Sequence, residues 1–477
     1  MIIILLLIVL IIVMNIIYKL SKNKTRQYVK DTNINSNIPP GQIRTLKRYS
    51  IGLPEGFDLN EEFQSAFNLM ENSNDCIFIT GKAGTGKSTL LQYFRQKTRK
   101  KVAVLAFTGV AAVNVNGQTV HSFFGFPPRF IQIENIRRRR NRELLKEIDT
   151  IIIDEVSMVR ADLMDGIDYA LRINRDKMNV PFGGVQVLFF GDLFQLSPIV
   201  DPEMRDVFDQ RYRSPFFFSA DIFTNFKLKY IELNKIYRQK DEKFISLLDR
   251  IRNKECTKES LSFLNERIKD KTSDDPCCCI TLTTSNPGAN EINRIRLDKI
   301  PAKEYQYQAS IVDEFDESSY PTERCLRLKK GAQIMLIKND PDKRWVNGTL
   351  GEVSDLSNNC IKASIDNKVY EIPKAKWEKI KYTYNEKEKK IEEEVMGSFE
   401  QYPIKLAWAI TIHKSQGQTF DTVIIDLENG AFTHGQVYVA LSRCKSLEGI
   451  TLKRPVIYSD IIFDERIYEF RKKIIPV

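Results

Sequence analysis

The chain is poor in residues that bind metal. Its 477 residues include three histidines, His121, His413 and His434, and eight cysteines. The cysteines stand at positions 76, 256, 277, 278, 279, 325, 360 and 444. None forms a C-x-x-C pair and three are adjacent, a pattern that suits neither a zinc knuckle nor a disulfide framework. A structural metal site is therefore not expected, and reduced thiols in a cytosolic compartment are the simpler reading. An internal repeat of fixed period, a guanine-reading N-K-x-D motif and a nuclease-type carboxylate cluster are also missing. A solenoid, a GTP switch and self-contained DNA cutting are disfavoured accordingly. An acidic excess is absent too. With 72 Lys and Arg against 62 Asp and Glu the net charge is +10, which fits a polyanionic partner.

Long apolar runs are confined to one place. Met1–Tyr18 carries no charge and only one strongly polar residue, Asn15. At about 1.5 Å per residue such a helix just crosses a bilayer core of roughly 30 Å. Lys19, Lys22, Lys24 and Arg26 follow at once and would hold the downstream chain in the cytoplasm. No basic n-region precedes the run and no A-x-A-like site follows it, which argues against a cleaved signal peptide. The expectation is a transmembrane helix over residues 1–20 that anchors cytoplasmic domains through a polar linker at 21–50. A misassigned start or a buried helix is the alternative.

The remainder has the composition of a folded protein, 42% hydrophobic and 28% charged, and is too long for one core. Cys76–Thr80 (CIFIT) is a short apolar run that leads into a glycine-rich loop, and Thr89–Lys97 continues as an amphipathic helix. Lys101–Phe107, Thr150–Ile153 and Val185–Phe190 have the same strand character. Ile280–Thr283, Val423–Asp426 and Ile450–Leu452 repeat it. Strands buried on both faces and separated by helices predict two parallel α/β units. Between about 305 and 400 the pattern changes to short alternating runs such as Gln333–Ile337 and Lys368–Ile372. These read as a small β domain inserted into the second unit, with Asn385–Glu394 as a solvated hairpin tip.

The chemistry is concentrated in Gly81-Lys82-Ala83-Gly84-Thr85-Gly86-Lys87-Ser88, a full G-x-x-x-x-G-K-[ST] loop between strand and helix. Glycines let backbone N–H groups surround phosphates, and the following helix N-terminus favours negative charge. Lys87 supplies a point charge at the β- and γ-phosphates, and the Ser88 hydroxyl suits Mg²⁺. Ile151–Ile153 runs into Asp154 and Glu155, two acids at the carboxyl end of a strand. Asp154 fits the Mg²⁺ shell, and Glu155 fits a base that orients and deprotonates water. A plain acid pair at a helix N-terminus is the bland alternative. ATP and Mg²⁺ are the expected cofactors.

Ordered stretches then resemble a superfamily 1 helicase of the Pif1 type, related to the RecD-like group. Leu59–Gln64 is similar to the adenine-reading glutamine motif, and Phe107–Ala112 to motif Ia, with Gly117–Phe124 after it. Asp154–Met158 resembles motif II, and Gly183–Gln186 leading to Gly191–Pro198 resembles motif III. Leu233–Gln239 is similar to motif IV, Ala407–Thr419 to motif V and Val437–Arg443 to motif VI. Leu328–Gln333 with Val346–Gly348 resembles the start of an SH3-like 2B insertion. Ser197 stands where a Pro-Pro pair is common and Tyr237 where Phe is usual; neither change removes a charge.

The resemblance implies two RecA-like domains: 51–229, with a small 1B element near 115–135, and 230–304 continued at 403–477, interrupted by the 2B insertion at 305–402. It implies Lys87, Asp154, Glu155, Gln195, Arg238 and Arg443 as catalytic residues, the two arginines reaching across a cleft. Gln64, Thr89 and Gly417 join the loop residues around ATP, and Ser88 and Asp154 hold Mg²⁺. Thr108, Gly109, His121, Ser122 and Phe123, with Thr411, His413, Lys414 and Ser415, are implied contacts to single-stranded DNA. Hydroxyls, amides and a lysine suit backbone contacts without sequence readout. His121 and His413 could instead be hydrogen-bonded core histidines, and Arg137–Arg140 with Arg142 either grip phosphate or line a solvated helix face. The implied activity is 5′-to-3′ unwinding of forked or structured DNA by a monomer, in repair, replication and telomere maintenance. A membrane-tethered ATPase without strand separation, or a subunit of a nuclease or relaxase complex, are the rival readings.

Overall fold

The computed structural model describes residues 59–476, apart from 128, 141, 201–203, 227, 240, 269–278, 343 and 386–389. The apolar run at 1–18 and the linker lie outside the described residues. Among those described, no helix is long and apolar enough to cross a membrane.

Each strand-length apolar run picked out above between residues 76 and 452 forms a strand. The first lobe contains β1 (Ile77–Gly81), β2 (Val102–Ala106), β3 (Gln118–Thr119), β4 (Thr150–Asp154), β5 (Gln186–Phe190) and β6 (Lys229–Leu233). β1 and β5 are buried at every residue, because helices cover both faces of the sheet. The second lobe opens with β7 (Ile280–Thr283). An antiparallel insertion follows, made of β8 (Glu304–Gln308), β9 (Ser310–Asp313), β10 (Cys325–Lys329), β11 (Gln333–Leu336), β12 (Leu350–Ser357), β13 (Cys360–Ile365), β14 (Lys368–Glu371), β15 (Ala375–Asn385), β16 (Lys390–Gln401) and β17 (Ile404–Leu406). The second lobe then resumes with β18 (Ala409–Thr411), β19 (Val423–Asp426) and β20 (Ile450–Leu452), and β21 (Ile475–Pro476) is last. The second sheet runs β18-β7-β19-β20, all parallel.

Two boundaries differ from expectation. The first sheet has the order β21-β6-β1-β5-β4-β2-β3, so β6, of which residues 230–233 were expected to open the second lobe, pairs in parallel with β1. β21, expected in the second lobe, pairs with β6 and returns the chain to the first. Helix Arg466–Lys473 brings it there. The Phe470 ring stacks on Phe218 at 4.4 Å and meets Phe217 at 6.0 Å, while Arg471 pairs with Glu232 of β6. Long-range pairing of a two-residue strand leaves no periodic signal, so the return was not readable locally.

The insertion also reaches further than a pendant domain would. β17 closes its five-stranded sheet, β14-β13-β12-β11-β17, beyond the expected end at 402. β15 and β16 form a long hairpin in which Asn385 and Lys390–Glu394, expected as part of a solvated tip, are paired strand residues; 386–389 lie outside the described residues. β15 packs along β3 and the helices Gly109–Asn114, Val120–Phe124 and Glu143–Glu147 of the first lobe.

Phe470→Ala removes a buried aromatic from the floor of the first sheet, a change that typically costs about 3–5 kcal/mol. Urea unfolding of the first lobe is therefore expected to shift to clearly lower denaturant, although the substitution lies near residue 476. An unchanged midpoint would show that the returning segment does not support the first lobe.

Candidate nucleotide site and nucleic-acid face

β1 delivers the phosphate loop, and helix Lys87–Lys97 leaves it with Gly86 at its N-cap in the left-handed region. Lys87 turns back so that Nζ donates to the carbonyls of Gly81 (2.7 Å) and Lys82 (3.1 Å). Its pKa is lowered first by burial, against the pull of Asp192 and Glu155. Asp154 ends β4 and Glu155 follows it. Burial, then Glu155, pushes the Asp154 carboxyl up to about 7. Glu155 is also raised by burial, opposed by Lys87 and Arg443. Its backbone is left-handed at φ 48°, strained for a non-glycine, and its Oε2 is buried with no hydrogen-bond partner. An orphaned carboxylate oxygen beside a buried lysine is costly unless a ligand completes it.

The other wall comes from later in the chain. Tyr438 accepts the Ala83 N–H at 3.0 Å, and the Tyr237 N–H donates to the Gly84 carbonyl at 2.9 Å. A Cβ at Gly84 (φ 84°) would lie 2.5 Å from the Arg238 Cβ, so only glycine lets motif IV approach the loop this closely. Arg238 donates to the Ser442 carbonyl (3.0 Å). Arg443 is 1% exposed and bonded to the carbonyls of Val439 (3.0 Å) and Ser415 (3.3 Å) and to the Ser442 hydroxyl (2.8 Å). Burial, then Arg238, lowers its guanidinium to about 9. Gln195 is buried and donates to Asp192 at 3.3 Å. Thus Lys87, Asp154, Glu155, Gln195, Arg238 and Arg443 converge on one cleft. Gln64 lies on helix Glu61–Asn72, whose Phe63 packs where a Cβ on Gly86 would point (2.8 Å). Ser88 is exposed at the helix start, with Thr89 beside it, while Gly417 is exposed on the loop that wraps Arg443.

Sequence reasoning gave no role to Asn60, Phe63, Tyr237 or Arg252. Asn60 donates to the Tyr237 hydroxyl at 2.7 Å, and Tyr237 faces Phe63 at 6.3 Å, which fixes motif IV to the glutamine-motif helix. Arg252, on helix Glu242–Arg252, is buried against Asp192 (3.3 Å) with its guanidinium 3.8 Å over the Phe194 ring. Nothing local marks Arg252, since a cation in a last helical turn is ordinary.

The nucleotide fits this donor set. Lys87 and two arginines suit a triphosphate, and one hydroxyl with one carboxylate suits Mg²⁺, which keeps waters and phosphate oxygens as its remaining ligands.

The expected strand contacts divide into exposed and buried groups. Thr108 caps helix Gly109–Asn114, its hydroxyl accepting from Ala111 at 3.2 Å. Gly109 is covered by the insertion: a Cβ there would lie 2.2 Å from the Ser319 Oγ. His121 is half-buried, edge-on to Phe107 (5.9 Å), and Ser122 accepts from Gln118 at 2.8 Å. His413 is half-buried and Lys414 exposed. Burial lowers the pKa of both histidines. The core role falls to His434, whose Nε2 donates to Leu193 (2.9 Å) while Nδ1 accepts from Asp464 (3.1 Å). Three of the expected contacts are buried in this structure. Phe123, 2% exposed, packs on Phe124 at 4.9 Å as a core ring. Thr411 and Ser415 are buried and shape the turn, bonding Lys414 N–H (3.2 Å) and the Ile412 carbonyl (2.7 Å). Arg137–Arg140 lie on an irregular segment, not a helix face, and Arg138 and Arg142 both pair with Asp176.

A phosphate loop, a strand-end acid pair and two arginines from a second lobe define a nucleotide-hydrolysing motor of helicase superfamily 1. Residues 58–261 match the model of the PIF1-like helicase, 316–356 that of the DNA helicase Pif1 2B domain, and 406–447 that of the UvrD-like helicase C-terminal domain. The ATP-dependent DNA helicase Pif1 of Bdellovibrio bacteriovorus is 32% identical over 433 residues, covering 87% of this chain and 92% of that one. The human ATP-dependent DNA helicase PIF1 is 32% identical over 85% of this chain, which spans 62% of its length. The crystal structure of Bacteroides sp Pif1 with ADP-AlF4 superposes with a TM-score of 0.80, at 39% identity and with 87% and 97% of the two chains covered. The chain belongs to the Pif1 family of ATP-dependent DNA helicases. The unliganded Bacteroides structure also gives 0.80, whereas the form bound to ssDNA gives 0.64 at the same identity and coverage.

Because Asp154 holds its proton more tightly folded than unfolded, it subtracts stability as pH rises through about 7. Asp154→Asn should therefore melt higher than wild type at pH 8, with the gain shrinking toward pH 5. Equal differences at both pH values would rule out Asp154 as the source.

Proposed function

We propose that this chain hydrolyses ATP to move 5′ to 3′ along single-stranded DNA, opening forked or structured duplex ahead of it. The observation that carries the reading is that the hydrolysis site spans the seam between lobes. The phosphate loop comes from one side, and Tyr438, Arg238 and Arg443 from the other. In such a site closure of the cleft and completion of the catalytic set are one event.

ATP would lie with its phosphates over the Gly81–Ser88 loop and its base toward Gln64. Ser88 and Asp154 would hold Mg²⁺, which when bound would supply neutralisation of phosphate charge. Lys87 exchanges its two carbonyl partners for phosphate oxygens. Glu155, with a free buried oxygen and a raised pKa, takes the proton of the attacking water. Arg238 and Arg443 neutralise charge developing on the γ-phosphate, a contribution worth about 10³–10⁵ in rate. Gln195, tethered to Asp192, is placed to pass the state of the γ-phosphate toward the strand. Thr108, His121 and Ser122 in the first lobe and His413 and Lys414 in the second would hold the DNA backbone. Since Ser319 covers Gly109, taking the strand requires the insertion to shift. Residues 1–20 are proposed as a membrane anchor, with the motor in the cytoplasm, on the strength of the apolar run and its basic flank. Release of the full chain from membranes by alkaline carbonate would refute that assignment.

ATP hydrolysis by the full chain should rise at least about tenfold with single-stranded DNA and vanish in Lys87→Ala. Glu155→Gln should keep ATP and DNA binding while losing about 10²- to 10⁴-fold in turnover. Turnover indifferent to DNA would remove the translocase reading and leave an ATPase.

A further inference from the structure

Residues 129–146 carry seven basic side chains against two acidic ones, a surplus of five that is half of the chain's net +10. Charge runs usually form solvated faces, and cations at the C-terminus of a helix are ordinary. Two of these arginines have that explanation. Arg138 Nε donates to the Ile173 carbonyl (3.3 Å) and Arg142 to that of Asn174 (3.5 Å), at the end of helix Ala161–Asn174, and both pair with Asp176. The Arg139 N–H donates to the Asn174 side chain at 2.8 Å, so the segment is pinned to that helix. The other guanidiniums are not accounted for in this way. Arg137 donates to the carbonyls of Glu134 and Ile136, and Arg140 is exposed; among the described residues neither meets a carboxylate. Arg139 is half-buried on Gly125, where a Cβ would lie 2.7 Å from its guanidinium, and burial lowers its pKa with no carboxylate opposing. Gly125 is the C-cap of helix Val120–Phe124, which bears His121 and Ser122. The unneutralised guanidiniums therefore begin where the first lobe's strand contacts end.

Like charges held side by side with no acid between them attract an anionic partner. A planar guanidinium takes phosphate oxygens two at a time and reads no sequence there. The segment offers no ring on which a base could stack. Its one aromatic residue, Phe130, is half-buried and packs edge-on to Phe208 at 6.1 Å. Binders of single strands combine cations with exposed rings, whereas a duplex keeps its bases inside and presents phosphates. We propose that Arg137 and Arg140, with Arg139 leading from helix Val120–Phe124, clamp the phosphate backbone of duplex DNA beside the strand contacts of the first lobe. The proposal rests on the translocase reading and adds a hold on the duplex arm still to be opened. An anionic membrane would also attract arginines, but contiguity with His121 and Ser122 favours DNA.

The test is equilibrium binding by the full chain, over a range of salt, of a single-stranded oligonucleotide and of a fork carrying the same strand as its tail. Each contact to a duplex phosphate adds about 0.9 to the slope of log affinity against log salt. Wild type should show the steeper slope on the fork. Arg137→Gln combined with Arg140→Gln should lower the fork slope by about 1.8. Over a fourfold rise in salt, wild-type affinity for the fork should thus fall about 12-fold further than that of the variant. The single-strand slope and the hydrolysis of ATP stimulated by single strands should not change. Arg137→Lys with Arg140→Lys, which keeps both charges, should retain most of the fork slope. Equal wild-type slopes on the two DNAs would overturn the proposal without any variant, so a double variant that fails to fold does not shelter it. An unchanged fork slope in the glutamine variant would overturn it too, as would an equal loss on the single strand. Loss of binding to phosphatidylserine vesicles with fork binding intact would assign the arginines to a membrane instead. A wild-type chain whose ATP hydrolysis ignores single-stranded DNA would defeat the underlying translocase reading, and that arm is read before any variant.

Discussion

The buried ion pair between Asp192 and Arg252 is the joint on which the rest of the structure turns. Asp192 caps the turn after β5, accepting from the Phe194 N–H and from Gln195. Arg252 arrives from the helix that follows motif IV and reaches Glu232 at 3.9 Å as well. Glu232 in turn holds Arg471 and accepts from the Tyr230 hydroxyl. One charged chain therefore joins the strand end that presents Gln195, the segment that presents Arg238, and the returning C-terminal helix. Removing a single partner would strand an opposite charge in the interior, at a cost of about 3–5 kcal/mol, so the members are held together by electrostatic necessity. Stacking of the Arg252 guanidinium on Phe194 fixes its plane, which a lysine could not reproduce.

Around that joint the cleft carries an uneven set of charges. Lys87 and Arg443 are both driven toward neutrality by burial, and Asp154 and Glu155 are driven toward their protonated forms. Both signs are therefore poorly solvated in the free protein. A nucleotide with its cation would bring the charges that each side lacks, so binding energy and electrostatic relief coincide. The loop glycines serve the same end by allowing backbone and side chains of the second lobe within van der Waals contact of the phosphate loop.

Much of this was legible in the sequence where local chemistry dictates residue type. The strand ahead of the loop, the Gly81–Ser88 run, the acids at 154 and 155 and the motif arginines each need particular side chains at fixed spacing. The α/β character of both lobes followed from uninterrupted apolar runs, because parallel strands covered on both faces admit little else. What stayed hidden depends on partners far apart in the chain. Arg252 is a common helix-end residue until Asp192 lies beside it. Phe123 and Ser415 sit within motifs that point to DNA, yet tertiary packing turns their side chains inward. The boundary at 229 failed for the same reason: β6 resembles any edge strand, and only its neighbours β1 and β21 assign it to the first sheet.

The return of β21 has a consequence for how the chain folds as it is made. Domains tend to fold in order of synthesis, the N-terminal one first. Here the edge of the first sheet is completed by a strand that leaves the ribosome only after the second lobe and the insertion. Until then β6 exposes an unpaired edge, and the ring floor of Phe78, Phe217 and Phe218 lacks its Phe470 cover. The early lobe therefore stays incomplete while roughly the second half of the chain is made. A chaperone that shields β edges and aromatic surface would find its substrate there.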